Sequence, residues 1–458
     1  MKVVKFGGSS LADGQSFQQA IKIITADPER WVIVTSAPGK RHDGDTKVTD
    51  LLIEYANQTL RHEDTSSICQ TILQRYQAIA DYFGVEKSAL QPIEDALVNL
   101  PNGDYPDKNY LMAAFKAHGE RLNARLMAVV LNHLGYKSRF VDPSEAGIIV
   151  SGTPNNATVL PITYDNLAKL KINDDERLVF PGFFGFTPTK HIATFSRGGS
   201  DITGAILARG LKARVYENFT DVDAIFAANP NVVKNPVPIK RMTYREMREL
   251  SYAGFSVFHD EALIPAIEGQ IPVNVRNTKN PSAPGTMIVP ENGFKIASMV
   301  TGVTCAKHFA GLYLHKYLMN KELGFSLQIL EILKKYHVSY EHMPSGIDDI
   351  TIIFDRDQLT DVKVDRICNE IQEKFDPDTL RWIDDYAITM VVGEGMNHQV
   401  GVMARIAHAV AKHHLSLTMV NQGASQISIM IGTKGEDADE AVRAIYDEFF
   451  NSQEKEND

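Results

Sequence analysis

The chain has 458 residues, enough for about three domains, and its 44% hydrophobic and 23% charged residues are ordinary for a globular protein. A formal net charge of −10 without a long basic run argues against a nucleic-acid partner, and no apolar stretch approaches the ~20 residues of a membrane span. The three cysteines, Cys69, Cys305 and Cys368, show no CxxC spacing, which supports neither a disulfide framework nor a zinc site. Because no secretory signal precedes the first strand-like residues, we expect a cytoplasmic protein.

A strand followed by two glycines opens the chain. The apolar run ends at Phe6, and Gly7, Gly8 and two serines separate it from an amphipathic segment that is predicted to be helical from Leu11. Paired glycines let the backbone approach an anion, a helix points free N–H groups at it, and Lys5 adds a positive charge. The pattern predicts a phosphate site, although it is not a Walker A sequence and an ordinary tight turn has the same spacing.

Short apolar runs that alternate with helical stretches indicate a mainly parallel sheet within residues 1–295. Residues 31–35, 178–180 and 192–195 form three such runs, each followed by Gly, Pro or Ser and then by a helical pattern. This is typical of a sheet covered on both faces. Ligands are expected at the carboxyl ends of its strands, where Ser36 also lies.

One long helix is predicted from Tyr110 to Leu134, with an apolar stripe and a glycine in its middle. A glycine there costs about 1 kcal/mol of helix stability, so Gly119 is expected to permit the close approach of another group. Glu120 is next to it and is a candidate site residue; the alternative is a solvated helix carboxylate.

A second strand, glycine pair and helix are predicted over residues 192–209. Two such loops in one domain suggest that one holds nucleotide phosphates while the other holds an anionic acceptor. Arg197 could make a bidentate contact with a carboxylate, and Asp201 could orient a lysine. The alternative is a local ion pair between these two residues beside an ordinary helix N-cap.

The last third of the chain contains an internal repeat. Residues 325–354 align without a gap on residues 402–431, so that Gly324 matches Gly401. Each copy reads helix, strand, turn, strand, with an apolar strand before it (312–319 and 387–392) and a second helix after it (362–375 and 438–449). This is the order of a ferredoxin-like sandwich. We interpret the two copies as sensors whose edges pair with other strands.

Together these motifs resemble aspartate kinases, specifically the monofunctional, ACT-regulated members of the amino acid kinase superfamily. The resemblance rests on 5–10 (Lys-Phe-Gly-Gly-Ser-Ser), 34–39, 118–120 (His-Gly-Glu), 196–201 (Ser-Arg-Gly-Gly-Ser-Asp), 220–223 and the paired repeats ending at 421–423. It covers essentially the whole chain in order. It implies a three-layer α/β catalytic domain over 1–295, with a mainly parallel central sheet, followed by two ferredoxin-like ACT domains of α+β type, at 296–385 and 386–458.

The resemblance also implies an activity: transfer of the ATP γ-phosphoryl group to the β-carboxylate of L-aspartate, the first step towards lysine, threonine and methionine. Mg²⁺ would bind with the nucleotide, and no protein ligand for the metal is predicted. An ionised carboxylate is its own nucleophile, so no general base is expected. The implied catalytic residues are Lys5 and Asp201. The implied ATP-binding residues are Lys5, Phe6, Gly7, Gly8, Ser9, Thr220, Asp221 and Phe226. The implied aspartate-binding residues are Ser36, Thr49, Glu120, Arg197, Gly198, Gly199 and Ser200.

The nucleotide half departs from the family pattern. Asn231 and Ser256 stand where the family has an arginine and a lysine, so two cations expected near ATP are missing. Lys234, Lys240 and Arg241 lie close in sequence and could compensate. One interpretation is a divergent subgroup that holds ATP differently; the alternative is a catalytically weak or silent amino-acid-binding regulator of the same fold. A different amino acid kinase should lack the tandem repeats.

Regulation by an amino acid is the remaining implication. Effectors in the family bind where the first strand of an ACT domain turns into its helix, and the matching positions are Met319, Gly324, Phe325, Glu341 and Ser345. Lysine, threonine or both are the expected effectors, in a homodimer or homotetramer formed through the repeats. The alternatives are that Glu341 is a solvated carboxylate and Met319 core filling, or that the effector binds the second repeat near Asn421 and Gln422.

Overall fold

The computed structural model describes residues 1–173, 175–196, 198–255, 260–397 and 399–451. Two positions discussed above, Arg197 and Ser256, lie outside these residues. The chain divides into two units: residues 1–225, 238–247 and 256–294 form the first, and residues 226–237, 248–255 and 295–458 form the second. No helix among the described residues has the length and apolar character needed to cross a membrane.

The first unit contains one large sheet with helices around it. The strands of the first unit are β1 (Lys2–Phe6), β2 (Arg30–Thr35), β3 (Ser138–Phe140), β4 (Arg177–Pro181), β5 (Phe184–Phe186), β6 (Ile192–Thr194), β7 (Val215–Thr220), β8 (Arg241–Thr243), β9 (Val273–Asn277) and β10 (Thr286–Val289). Its helices are α1 (Gly14–Ala26), α2 (Val48–Leu60), α3 (Ser66–Tyr82), α4 (Gln91–Val98), α5 (Lys108–His133), α6 (Pro143–Ala146), α7 (Ile162–Leu167), α8 (Gly199–Gly210), α9 (Tyr244–Tyr252), which runs on into the second unit, and α10 (Ile264–Glu268).

The eight strands of the large sheet follow the order β3-β4-β2-β1-β7-β9-β10-β8. Every neighbouring pair is parallel except β9 and β10, which confirms the predicted mainly parallel sheet. Strand β1 lies between β2 and β7, so the chain leaves β1 towards one side of the sheet and later returns on the other. Ligands of open α/β sheets bind at such a switch point, outside the carboxyl ends of the strands.

Helices α1 to α5 pack with β1 and β2 around one hydrophobic core. Helix α5 begins where Asp107 accepts hydrogen bonds from the N–H groups of Asn109 and Tyr110, at 2.7 and 3.1 Å. Residues on most of its circumference are buried, including Phe115 and Leu122. Because the middle of the helix lies inside the core, polar side chains there, such as Glu120 and Asn123, are also removed from water.

Two expectations about the first unit were wrong in detail. The run 192–195 was assigned to the parallel sheet, but β6 pairs antiparallel with β5 in a separate two-stranded sheet. An apolar run before a glycine pair cannot distinguish these two partners, and here the nearer strand in sequence is the one that pairs. The helix expected from Leu11 begins at Gly14 because Asp13 caps it, accepting from the N–H of Ser16 at 2.8 Å; residues 8–11 form a 3₁₀ turn.

The second unit is built on one five-stranded antiparallel sheet of order β12-β11-β13-β15-β14. Its strands are β11 (Gly302–His315), β12 (Asp349–Asp355), β13 (Thr379–Val392), β14 (Met419–Gln422) and β15 (Ser428–Thr433). Its helices are α11 (Phe325–Lys335), α12 (Asp361–Phe375), α13 (Val402–Lys412) and α14 (Ala438–Tyr446). Helices α11 and α12 cover a core with β11 and β12.

Both long strands of this sheet serve both repeats. Residues 309–315 of β11 pair with β12 and with the first half of β13, while residues 302–306 pair with the second half of β13. The register shifts between these halves. The repeats therefore form one continuous sheet in which the beginning of β11 completes the second repeat.

In the first repeat the structure differs from the predicted strands. The strand expected over 312–319 ends at His315, and Met319 begins a 3₁₀ turn. The strand expected after α11 is reduced to two bridges, His342 with Ile353 and Ser345 with Ile350. Pro344 has no N–H to donate to a ladder, which explains why regular pairing fails there.

Candidate active site

The loops after β1 and β2 meet each other and the end of β7 at the carboxyl edge of the large sheet. The N–H of Gly7 donates to the carbonyl of Phe219 at 3.2 Å, and the N–H of Gly39 donates to the carbonyl of Gly8 at 2.9 Å. A Cβ atom on Gly39 would lie 2.7 Å from the Gly8 backbone. Glycine is therefore required where these loops touch. The contact holds the loop after β1 in one conformation.

Lys5 and Asp201 form a buried ion pair beside this loop. The Lys5 ammonium lies 2.6 Å from Asp201 Oδ1, and Asn218 Nδ2 donates to the same oxygen at 2.6 Å. Asn218 is directly opposite Lys5 in the parallel register of β1 and β7. Asp201 is in the first turn of α8, where the helix dipole favours a negative charge. The predicted orientation of Lys5 by Asp201 is thus geometrically in place.

Asn218 and Arg75 are residues that the sequence analysis missed. Arg75 is buried, donates to the carbonyls of Gly39 and Thr46 at 2.7 and 2.8 Å, and lies 3.3 Å from Asp45. From its position on α3, Arg75 therefore holds the loop after β2 in place through these contacts. Neither residue belongs to a local motif. The strand register brings Asn218 to the site, and the packing of α3 brings Arg75 there.

The second glycine pair is packed against the chain that follows β4. Gly198 has a φ of +74° and precedes α8, and a Cβ atom on Gly199 would lie 2.4 Å from the ring of Phe183. Ser200 is buried against Gly182, whose N–H donates to the carbonyl of Thr35 at 3.0 Å. The loop expected to hold the acceptor therefore adjoins the ends of β2 and β4.

Glu120 is a buried carboxylate, 6% exposed, and not a solvated one. Its Oε1 accepts from the N–H of Ala37 at 3.1 Å, while Oε2 is buried without a hydrogen-bond partner among the described residues. Burial raises the pKa of Glu120 to about 8. The expected close approach at Gly119 is confirmed, because a Cβ atom there would lie 2.7 Å from the Ala37 side chain.

Other residues assigned to aspartate lie around the same loop. Asn123 donates to the carbonyl of Ser36 at 2.7 Å and has a buried amide oxygen without a partner in the described part of the chain. Thr49 is in the first turn of α2, and the N–H of the preceding residue, Val48, donates to Pro38 at 3.2 Å. Ser36, Thr49 and Glu120 thus belong to elements that meet at residues 36–39.

The residues assigned to the nucleotide are less closely gathered. Thr220 ends β7 and donates to Asp221, which is exposed, at 3.2 Å. Phe226 falls in the second unit and is described only with that unit. The proposed compensating cations, Lys234, Lys240 and Arg241, are all exposed; their role stays a prediction.

The positions assigned to an effector are in the second unit. Gly324 has a φ of +77° and precedes α11, while Met319 and Phe325 are buried in the core of the first repeat. Glu341 Oε2 accepts from the hydroxyl of Tyr252 at 2.6 Å. Ser345 lines a cavity of about 680 Å³ on the sheet.

Comparison with known proteins places these features in a family. The model of the amino acid kinase family matches residues 1–277, and a model of the ACT domain matches residues 390–449. Aspartokinase 3 of Bacillus subtilis is 46% identical over 450 residues, which cover 98% of this chain and 99% of that protein. The crystal structure of Clostridium acetobutylicum aspartate kinase is 35% identical, with a TM-score of 0.90 over 98% of this chain and 100% of the other.

A more distant structural match extends the comparison of the fold. The E. coli aspartokinase III structure in complex with lysine and aspartate (T-state) is 23% identical, with a TM-score of 0.78 over 98% of this chain and 99% of the other.

Proposed function

The chain belongs to the amino acid kinase family and, within it, to the ACT-regulated aspartokinases, and from that premise we propose how its own residues hold the two substrates. It is an ATP-dependent kinase that phosphorylates the β-carboxylate of L-aspartate, giving 4-phospho-L-aspartate for lysine, threonine and methionine biosynthesis. The observation that supports our assignment best is that Lys5, paired with Asp201, lies next to the loop after β1, while Glu120 contacts the loop after β2.

The triphosphate binds over the loop after β1. The backbone of Gly7, Gly8 and Ser9 surrounds its phosphates, and the Lys5 ammonium meets the charge that develops on the transferred group. Asp201, itself held by Asn218, keeps that ammonium in place. Phe6, Thr220 and Asp221 complete the proposed nucleotide contacts within the first unit.

Aspartate binds at the loop after β2. The unpartnered Oε2 of Glu120 accepts the substrate ammonium, and Arg197 binds the carboxylate that does not react. The hydroxyls of Ser36 and Thr49 orient the substrate, and the backbone of Gly198, Gly199 and Ser200 surrounds a carboxylate at the start of α8. The substrate ammonium and one of its two carboxylates then each have an opposite charge from the protein.

Catalysis follows from alignment and charge neutralisation. The β-carboxylate is ionised at neutral pH and attacks phosphorus directly, so the protein need not remove a proton. An ATP-dependent kinase uses a divalent metal, and we propose Mg²⁺ held by the nucleotide phosphates and water. It would neutralise phosphate charge beside the Lys5 ammonium.

We further propose that lysine, threonine or both inhibit the enzyme at Met319, Gly324, Phe325, Glu341 and Ser345. The lysine complex of the E. coli relative supports this class of effector. The catalytic domain would span 1–295 and the ACT domains 296–385 and 386–458, in a cytoplasmic homodimer or homotetramer formed through the ACT repeats.

Replacement of Arg197 by lysine tests the substrate assignment. A lysine keeps the charge but loses the two-pronged contact with a carboxylate, so Arg197→Lys should raise the KM for aspartate at least tenfold and change the KM for ATP less than twofold. Initial rates with each substrate varied in turn measure both constants. An unchanged KM for aspartate would remove Arg197 from the acceptor site.

A further inference from the structure

Helix α5 carries a second charged side chain towards the acceptor site. Lys116 is half-buried, one helical turn before Glu120, and its ammonium lies 5.8 Å from the centre of the Phe183 ring. Among the described residues it has neither an ion pair nor a hydrogen bond. Burial lowers the pKa of Lys116, and the charge of Glu120 offsets only part of this effect.

Phe183 places this ammonium next to the second glycine pair. Gly199 approaches Phe183 so closely that a Cβ atom would lie 3.1 Å from the Phe183 Cα. Phe183 has a φ of +80°, and its N–H donates to the hydroxyl of Thr203 in α8 at 3.0 Å. A strained residue held by α8 therefore packs against both the Lys116 ammonium and the loop that is expected to hold a carboxylate.

Two charged side chains on α5 match the charges of aspartate. Residues four apart on a helix have Cβ atoms about 5–6 Å apart and lie on one face. Glu120 presents a carboxyl group beside Ala37, which is negative in its ionised form, and Lys116 presents an ammonium beside Phe183. Aspartate carries one ammonium and two carboxylates, so a site with Glu120 and Arg197 alone would leave one substrate carboxylate without a cation.

We propose that Lys116 is a further substrate-binding residue, which contacts the β-carboxylate of aspartate. This inference rests on the proposed role of Glu120 as the acceptor of the substrate ammonium. The reacting carboxylate must approach a triphosphate of the same sign, and a half-buried cation beside it reduces that repulsion. A cation at this position also favours an acceptor with a distal carboxylate over one with a distal amide.

The test compares aspartate with asparagine, which has the same ammonium and α-carboxylate but a neutral side-chain amide. Lys116→Met should raise the KM for aspartate about ten- to a hundredfold, the effect of losing one charged hydrogen bond. The inhibition constant of asparagine, measured against aspartate, should change less than twofold. Lys116→Arg should keep the KM for aspartate within about threefold of the wild type. Lys108→Met, at the exposed start of the same helix, is the matched control and should behave as the wild type.

Three outcomes would overturn the inference: an unchanged KM for aspartate in Lys116→Met, an equal loss for aspartate and asparagine, or no rescue by arginine. Equal losses would mean that Lys116 only supports Glu120. Thermal melting of each variant separates a folding defect from a binding defect, and Lys116→Gln replaces the methionine variant if that one is unstable. Glu120→Gln is measured in parallel. If it leaves aspartate binding unchanged, the proposed acceptor site itself is wrong, whatever Lys116 does.

Discussion

Burial decides which single residues can act in this site. Lys5, Asn218 and Glu120 are all almost inaccessible to water, and both Lys5 and Asn218 contact the carboxylate of Asp201. The buried oxygen of Glu120 has no described partner, and a free polar atom in the interior costs about 1–3 kcal/mol. A substrate ammonium would supply the missing contact. The Glu120 oxygen that lowers the stability of the free enzyme would then stabilise the complex with aspartate.

Removing the Lys5 ammonium tests the phosphate site. Lys5→Ala should lower kcat by two or more orders of magnitude with little change in the KM for aspartate, because one charge contact to the transition state is lost. Steady-state kinetics with both substrates provide the measurement. Lys2→Ala is the control, since Lys2 is on the same strand but pairs with Asp27. Near-normal turnover of Lys5→Ala would contradict the proposed phosphate site.

The pH dependence of aspartate binding tests Glu120. With a pKa of about 8, raised by burial, Glu120 is mostly protonated in the free enzyme at pH 7, whereas the substrate ammonium requires the ionised form. The KM for aspartate should therefore fall as pH rises from 6 to 8, by up to about tenfold per unit, and level off above 8.

Two neighbouring titratable groups do not alter the sign of this effect. The Lys116 cation lowers the pKa of Glu120, and Tyr76 stays neutral because burial raises its pKa. Glu120→Gln cannot ionise and should show a higher KM with a flat profile. A wild-type KM that is constant from pH 6 to 8 would place the ammonium elsewhere.

The sequence could predict the residues of the site that belong to local motifs. The glycine pairs, Lys5 and Glu120 stand in short patterns with a chemical meaning, and the close approach at Gly119 follows from the cost of a mid-helix glycine. Asn218, Arg75 and Lys116 could not be found in this way. Their roles depend on strand register, on packing between helices and on a strained residue distant in sequence.

At the scale of elements, the second unit takes up two segments from the middle of the chain. The N–H of Val303 in β11 donates to Ala227 at 2.7 Å, and the hydroxyl of Thr304 donates to Ala253 at 2.8 Å. Tyr252, the last residue of α9, donates to Glu341 at 2.6 Å and lies 3.2 Å from His342. Burial raises the pKa of Tyr252, and Glu341 raises it further, so the phenol remains a donor.

An effector that binds Glu341 would therefore compete with the hydroxyl of Tyr252 for this carboxylate. Glu341→Ala should raise the inhibitor midpoint at least several-fold, relative to the uninhibited rate of the same variant, since a typical coupling free energy is ~1–3 kcal/mol. Tyr252→Phe should lower the midpoint, because it frees the carboxylate for the effector ammonium. Inhibition curves with lysine and threonine measure both effects. Unaltered inhibition of Glu341→Ala by both amino acids would move the site, with Asn421 and Gln422 as the next candidates.

The element predictions failed where short apolar runs had more than one possible partner. The run at 192–195 pairs with β5, and 338–345 makes only isolated bridges because Pro344 interrupts it. Of β13, only residues 387–392 are predicted as a strand, whereas long periodic helices such as α5 are predicted correctly in type. Their ends depend on capping residues such as Asp107 and Asp13, whose hydrogen bonds a hydrophobic pattern does not reveal.

At the scale of the whole molecule, exposed apolar side chains in the second unit suggest an interface between copies. Tyr317, Leu318, Leu323 and Leu327 lie within one short stretch around the start of α11, and Leu323 is 98% exposed. Such a cluster is costly in water unless another surface covers it. A two-fold contact would cover the same residues on both copies.

The full-length chain should therefore sediment as a dimer or larger at tens of micromolar, and Leu323→Glu combined with Leu327→Glu should shift it towards monomer. Val98→Glu changes an exposed apolar residue in the first unit and is the control. A wild-type chain that sediments as a monomer at that concentration would contradict the expected assembly.

The most direct test of the whole account traps the acyl phosphate product with hydroxylamine. Purified chain is incubated with ATP, Mg²⁺ and either aspartate, glutamate or carbamate, and hydroxamate and ADP are measured together. We expect aspartyl hydroxamate in a one-to-one ratio with ADP and only background signal from the other two acceptors. ADP release without hydroxamate, or equal yields from aspartate and glutamate, would contradict it.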